Sequence, residues 1–338
     1  MSTTVTNKFM NAENINKINT VGIIGMGKVG SCIATFLNEN SFSDKNNLPK
    51  LSWICSKYFT NYSIFPSLKI FKNINEINEI PDAIIICKSD NFIKKTSDDL
   101  ANYFKEKLAG KFIIHCAGSF GIELLSECKK YDARTVAAHP FQTFLTNDSF
   151  NDFNSNSSEN LQKSKKINSL KNCLKNISWG IECEKNDDFT VANFIKSLNG
   201  NPVFLPEKVL KNKAFYHTVA VAASNYLATS IYFAGLLADE IGINKNDFLK
   251  PIINQTVQNS FVYFDENSKQ FPITGPIVRS NFDTISKHLE ALKNDETLLN
   301  SYSYFGFALL ELAKNNNILT QENYFEIKKI FQEFMKNK

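Results

Sequence analysis

The stretch Val21-Gly22-Ile23-Ile24-Gly25-Met26-Gly27-Lys28-Val29-Gly30 decides how this chain is read. Thr20 to Ile24 is a compact apolar run of strand character, and Ser31 to Asn38 continues as an amphipathic helix. The glycines between them fall as G-x-G-x-x-G, a pattern that gains its meaning from the strand before it and the helix after it. Gly25 allows a tight turn, Gly27 lets the backbone approach a pyrophosphate, and Gly30 lets helix and strand pack closely. The helix N-terminus then offers unpaired N–H groups to a phosphate. Met26, Lys28 and Val29 complete the expected cofactor-binding turn.

Outward from this turn, short β-rich runs alternate with helical patterns. Further strands are expected at Leu51–Cys55, Leu68–Phe71, Ala83–Cys87, Phe112–Cys116 and Thr135–Ala138, and again at Ile177–Cys183 and Pro202–Leu205. Helices are expected at Asp98–Leu108, Ile122–Lys130 and Phe189–Leu198. After Pro206 the pattern is helical throughout: Glu207–Ile241, Asp247–Asn259, Thr284–Leu292, Glu296–Lys314 and Gln321–Lys336. The expected fold is therefore α/β, a doubly wound Rossmann-type and mostly parallel sheet over residues 18–206, followed by an all-α C-terminal domain over 207–338. Residues 1–17 read as a disordered polar tail. The Asn-, Ser- and Lys-rich stretch 147–166 reads as a mobile insertion.

The end of the second strand chooses the cofactor. An enzyme using NAD normally presents a carboxylate there to the ribose hydroxyls. Here the run is Trp53-Ile54-Cys55-Ser56-Lys57, with a hydroxyl and a cation instead. Ser56 and Lys57 suit a ribose 2′-phosphate, so the expected cofactor is NADP(H). Cys87, which ends the fourth expected strand, Lys88 after it, and Gly118 after the fifth join the cofactor set at the same sheet edge.

Composition narrows the partners. The chain has 338 residues and a formal net charge of +4, too balanced for a nucleic-acid binder. Two of its cations are arginines, Arg134 and Arg279; in so lysine-rich a chain a rare arginine reads either as a place where a planar fork is needed or as codon drift. The seven cysteines form no C-x-x-C pair, so neither a metal site nor a disulfide framework is indicated, and a reducing cytoplasm fits. Ala214 to Ala238 carries no formal charge and is long enough to cross a bilayer. Its polar residues instead suggest the buried central helix of a soluble protein, with no membrane partner.

Of the four histidines, three are candidates for the chemistry, together with one lysine. His115 and His139 stand at the ends of strands, on the edge where open α/β sheets bind ligands; His288 reads as a surface or packing residue. Lys213, His217 and Ser224 fall within about 40° of one another at 100° per residue. They form a polar stripe on an apolar, alanine-rich helix, with Asn225 beside it. A buried lysine costs several kcal/mol if unpaired, so it requires a partner or a task. Lowered in pKa by desolvation, it can donate a proton to a developing alkoxide. The alternative is a lysine that snorkels to water beside a core histidine.

Five motifs occur in order: the glycine loop, His115-Cys116-Ala117-Gly118, His139-Pro140-Phe141-Gln142-Thr143, Tyr216-His217 with Ser224-Asn225-Tyr226-Leu227, and Thr274-Gly275-Pro276-Ile277-Val278-Arg279. In these the chain resembles a family joining a Rossmann-like domain to a helical C-terminal domain formerly of unknown function. That family lies in the superfamily of β-hydroxyacid dehydrogenases, ketopantoate reductases and pyrroline-5-carboxylate reductases. The resemblance is closest to the PanG-type alternative ketopantoate reductases. It implies NADPH-dependent reduction of a small 2-oxo acid, ketopantoate to pantoate in pantothenate biosynthesis, by a homodimer. Lys213 takes the position of the superfamily's catalytic lysine, and His217 replaces the asparagine four residues later. Ser224, Asn225, Arg279, His115 and Ser119 are then the expected substrate-binding residues. Asn281 stands where an aspartate often follows the arginine. The rivals are an imine reductase of pyrroline-5-carboxylate type and a non-catalytic NADP(H)-binding protein.

Overall fold

Strands β1 (Thr20–Ile24), β2 (Lys50–Cys55), β3 (Lys69–Phe71), β4 (Ala83–Ile86), β5 (Phe112–His115), β6 (Arg134–Pro140), β7 (Ser178–Glu182) and β8 (Asn201–Phe204) make one sheet. Their order is β3-β2-β1-β4-β5-β6-β7-β8. All neighbours run parallel except β6 and β7. The computed structural model describes residues 17–40, 48–59, 65–144, 172–268 and 270–336. The expected tail lies outside the described residues apart from Lys17, as does the whole of the expected insertion 147–166.

The parallel arrangement follows from the helices that return the chain across the sheet. Helices α1 (Lys28–Asn40), α2 (Asp90–Phe104) and α3 (Asp188–Ser197) do so. Because both sheet faces are covered, β4 reads Ala-Ile-Ile-Ile without polar alternation. Ile85 packs with Ile23, Ile33, Ile54 and Ile114 on one face, while Ile84 and Ile86 pack with Trp53, Leu100 and Phe104 on the other. Helix α2 begins earlier than its expected start at Asp98, and its buried side chains Ile93, Ser97, Leu100, Ala101 and Phe104 form one continuous stripe. Expected helix 122–130 is a tight turn at Ile122–Leu125 followed by one helical turn at Ser126–Lys129.

Strand order reverses between β1 and β4, which opens a crevice beyond their carboxyl ends. Gly25 leaves β1 there and Cys87 leaves β4. The Cys87 N–H donates to Ile24 O at 2.8 Å, and the Gly25 N–H to Cys55 O at 2.9 Å. The glycine turn is thereby tied to both neighbouring strands.

Packing divides the chain between Ala222 and Ala223 into two compact units. The composition change at Pro206 marks where the sheet ends, but the first unit continues beyond it. The expected single helix 207–241 is interrupted instead. One turn, Glu207–Leu210, is followed by Asn212, whose side chain accepts the Phe215 N–H and starts α4 (Lys213–Val221). A π-helical turn, Ala222–Tyr226, then leads into α5 (Leu227–Glu240). The wider turn breaks the 100° extrapolation that aligned Ser224 with Lys213 and His217.

The segment Lys213–Glu240 is long and apolar enough to cross a membrane by length and composition. Its expectation as a buried central helix is corrected. Phe215, Val219, Tyr226, Leu227, Ile231 and Tyr232 are exposed, and Ala238 is the buried residue of α5. Lys213, at the start of α4, is nonetheless buried, because the first turns of α4 pack against residues at the ends of β6 and β7.

The second unit continues with α6 (Lys250–Ser260), α7 (Phe282–Leu292), α8 (Glu296–Asn315) and α9 (Gln321–Lys336). Its core joins Ile285, Leu289, Leu299, Leu310, Ile327 and Phe331. Asp295 caps α8 by accepting the Leu298 N–H, and Asn281 caps α7 by accepting the Thr284 N–H. An aspartate would fill that cap equally well.

Candidate functional site

The crevice beyond β1 and β4 is a cavity of about 1060 Å³. Gly25, Met26, Gly27, Ser56, Lys57, Cys87 and Lys88 line it, as their positions in the sequence suggested. Gly25 holds φ at +98°, the left-handed region that favours glycine. Gly30 is buried, and a Cβ there would overlap the Gly25 carbonyl oxygen, so it packs helix against turn and does not line the cavity. Lys28 is the exposed first residue of α1, and Val29 packs partly against the core.

Sequence reading missed the far end of this cavity. Tyr58, Lys72, Asn73, Phe92, Asn102 and Tyr103 also line it. The Lys72 ammonium donates to Phe59 O at 2.5 Å, and the Lys57 ammonium lies 5.6 Å from the centre of the Tyr58 ring. Lys57, Lys72 and Lys88 thus bring three cations to a cavity that also has exposed aromatic rings. Those donors, the bare glycine turn and the N-terminus of α1 fit a dinucleotide carrying an additional phosphate. Lys72 follows a three-residue strand, and no local motif marks it.

A second cluster lies at the carboxyl ends of β5, β6 and β7. Lys213 is 6% exposed, and its Nζ sits 3.5 Å from Oε2 of Glu182 at the end of β7. This is ion-pair distance without a formed hydrogen bond. Nζ therefore keeps donors unspent among the described residues. Burial pushes the Lys213 pKa down, and the Glu182 carboxylate pulls it back up. The Nζ also stands 5.9 Å from the centre of the Tyr216 ring.

One turn along α4, His217 faces His139 with ring centres 5.5 Å apart and planes crossed at 76°. Between them runs the bare backbone of Gly118, where a Cβ would lie 2.5 Å from Nδ1 of His217 and 2.9 Å from Nε2 of His139. Gly118 is therefore the floor of this cluster; it is not among the residues lining the large cavity, where it was expected. Burial raises the Tyr216 hydroxyl to about 12, so at neutral pH it keeps its proton, and it shares a hydrogen bond of 3.2 Å with His139 Nδ1. Burial, followed by the charges of His217 and Lys213, lowers His139 to about 4. His139 is thus neutral. Nδ1 of His217 is buried without a hydrogen-bond partner among the described residues. That leaves it available to orient a neighbouring group.

His115 has a different task from the one expected. It is fully buried, its Nδ1 accepts the Ala117 N–H at 3.2 Å, and its Nε2 meets Gly121 O at 2.8 Å. Both nitrogens are occupied within residues 115–121. His115 shapes that loop and has no atom left for a substrate. Ser119 is half-buried on the same loop. Glu182 and Glu123 went unnoticed in the sequence, since acidic residues at strand and turn ends are common and only the fold brings them to Lys213.

The remaining expected residues belong to the second unit. Ser224 and Asn225 share a hydrogen bond of 2.9 Å within the π-helical turn, a feature frequent at functional sites. Arg279 is exposed, in a turn where Gly275 adopts φ +123° and accepts the Arg279 N–H at 3.1 Å. Arg134, without context in the sequence, pairs with Asp187 at 3.0 Å and stacks over Phe112 at 5.3 Å. It is a structural arginine. His288 donates to or accepts from Tyr302 on the helical unit, as a packing residue would.

Comparison with known proteins agrees with the fold. Residues 177–308 match a family described as Domain of unknown function (DUF2520). No curated protein is similar in sequence. Among solved structures, the fold is shared with a Bacteroides fragilis protein provisionally named an NADP oxidoreductase, at 16% identity and a TM-score of 0.62 over 87% of this chain and 98% of that one. An imine reductase from a Pseudomonas species matches at 16% identity and a TM-score of 0.57, over 92% and 99% of the two chains. A protein from Thermotoga maritima, TM1727, matches at 17% identity and a TM-score of 0.52, over 88% and 99%. The chain has the Rossmann-type α/β fold with a helical C-terminal region that these proteins share.

Proposed function

We propose that this protein is an NADP(H)-dependent oxidoreductase that reduces a small 2-oxo acid, with ketopantoate as the first candidate. The observation that carries the reading is Lys213: a buried ammonium with unspent donors, beside the His139–His217 pair, in the same unit as a cation-lined dinucleotide cleft. The oxidoreductase names of structural neighbours are of the same general class. NADPH, when bound, supplies a hydride to the keto carbon. Gly25 and Gly27 would cradle its pyrophosphate, and Ser56, Lys57 and Lys72 its ribose phosphate. Lys213 donates a proton to the carbonyl oxygen and stabilises the charge that grows there. His217 orients that oxygen or the ammonium through its free Nδ1.

The test is loss of NADPH absorbance on adding a panel of 2-oxo acids and cyclic imines. Turnover of ketopantoate is expected, with Lys213→Ala lowering kcat at least 100-fold while NADPH still binds. Turnover of imines alone would replace this reading with imine reduction, which needs a buried lysine acid less. Tight NADPH binding without turnover on any compound would leave a non-catalytic binding protein. A homodimer in the cytoplasm is part of the same proposal, supported by the exposed apolar side chains of α5. A monomeric mass at micromolar concentration would overturn the dimer.

A further inference from the structure

A buried lysine that gives up a proton in each reaction cycle needs a route by which the next proton arrives. Three side chains of decreasing burial stand in line at this place. Lys213 is 6% exposed, and the Glu182 side chain beside it 17%. Glu123, on the turn Ile122–Leu125, is exposed to solvent. Glu123 does not swing freely, because its Oε1 accepts the Gly121 N–H at 2.9 Å. The other oxygen of Glu123 and Oε2 of Glu182 converge beside Gly121. A Cβ at that glycine would lie 2.5 Å from the first and 2.6 Å from the second. Gly121 is thus where two carboxylates occupy the space that any larger residue would need. Oε2 of Glu182 is buried and makes no hydrogen bond among the described residues.

We infer that Glu182 is the positioning residue of Lys213 and that Glu182 and Glu123 together form the path along which Lys213 is reprotonated from solvent. This rests on the proposed role of Lys213 as proton donor. In the forward direction an N–H bond of Lys213 breaks as the O–H bond of the reduced substrate forms. Glu123 then takes a proton from water and passes it to the Glu182 carboxylate, which hands it to the Nζ lone pair and so returns to its charged form. One proton enters for each one delivered, and no electrons move along this path. The charged form of Glu182 holds the ammonium through the ion pair at 3.5 Å. The other titratable groups around Lys213 are His115, held on Gly121 O, Tyr216 on α4 itself, and the His139–His217 pair beyond Gly118.

Glu182→Gln keeps the shape and removes both the charge and the exchangeable proton. Without the carboxylate the ammonium is less favoured, so Lys213 loses its proton at lower pH and the alkaline limb of the kcat/KM profile moves down by at least about one pH unit. The same variant lowers kcat about 10- to 100-fold with KM within about threefold of the parent. Glu123→Gln is expected to lower kcat a few-fold and to raise the solvent deuterium isotope effect, with the alkaline limb unmoved. Competitive labelling of Lys213 by acetic anhydride across pH, read by peptide mass spectrometry, follows the same ionisation without any substrate. It is expected to show Lys213 deprotonating at lower pH in Glu182→Gln. A shifted labelling curve in a protein that turns over no 2-oxo acid would sink the proposed reaction while keeping the Lys213–Glu182 coupling. Unchanged kcat and profile in Glu182→Gln, an unmoved labelling curve, or a Lys213 that no reagent reaches at any pH would overturn the inference.

Discussion

Gly118 presents bare backbone to His217, so close that a Cβ on the glycine would lie 2.5 Å from the ring's Nδ1. His139 closes on the same spot from the other side, at 2.9 Å. The two rings owe their mutual placement to a missing side chain. Gly118→Ala is therefore expected to push one or both rings aside. Its backbone conformation is ordinary, so the fold should survive with a Tm within a few degrees of the parent. Turnover should fall at least about tenfold, because an angstrom of misplacement in a positioning group is costly. Kinetics beside a thermal melt separate the two effects. An alanine variant with unchanged kcat would remove His217 and His139 from the reaction.

Gly30 makes the corresponding contact at the cofactor turn. A Cβ there would overlap the Gly25 carbonyl oxygen, which is backbone and cannot rotate away. Gly30→Ala is expected to distort the turn and weaken NADPH binding at least about tenfold, with a loss of about 1–3 kcal/mol of stability from overpacking. Titration of NADPH fluorescence against the variant measures the first and urea denaturation the second. Normal affinity would mean that the turn does not carry the pyrophosphate.

Stability should fall in mild acid through the two buried histidines. Burial lowers both His115 and His139 to about 4, from an ordinary value near 6.5. Below about pH 6.5 the unfolded chain takes up protons that the folded chain refuses, so the folded state loses ground as pH falls. The loss runs from about pH 6.5 down to about pH 4 and then levels off. It amounts to about 3 kcal/mol for His115 and less for the half-buried His139. Urea midpoints at several pH values across this window are expected to show the slope, and His115→Gln should flatten its share. A flat profile would place both imidazoles in contact with water.

Arg134 and Asp187 give a stability prediction away from the chemistry. Their ion pair spans 3.0 Å, with the Asp187 side chain only 8% exposed. Burial nonetheless holds the Asp187 carboxyl above its usual range, with Arg134 pulling it back. Arg134→Ala leaves that carboxylate without its partner and uncovers the Phe112 ring. The expected cost is about 2 kcal/mol, reduced from a fully buried pair because Arg134 is 30% exposed. Arg134→Lys should recover only part, since an ammonium cannot reproduce the flat stack on Phe112. Equal stability of all three proteins by urea denaturation would contradict this.

The strand, glycine turn and helix at residues 20–40 were legible in the sequence alone, and with them the α/β class. They are local: hydrophobic period, turn glycines and a helix start all lie within a few residues of one another. Lys213 was equally legible, because a charge on an apolar helix stands out against its neighbours. The interruption at Asn212 and the π-helical turn were missed because apolar periodicity does not register a single cap or one inserted residue.

What surrounds Lys213 was decided only by tertiary structure. Glu182 reaches it from the end of β7, Glu123 meets Glu182 beside Gly121, and neither carries a local signal that distinguishes it from other surface acids. The same holds for His115. By position it looked like a ligand, yet the loop folded back so that Ala117 and Gly121 consumed both of its nitrogens. Local pattern determines which elements form, because backbone hydrogen bonding and side-chain period act over a few residues. Which polar groups meet depends on strand order and register, and these are settled only when the sheet closes its long-range contacts.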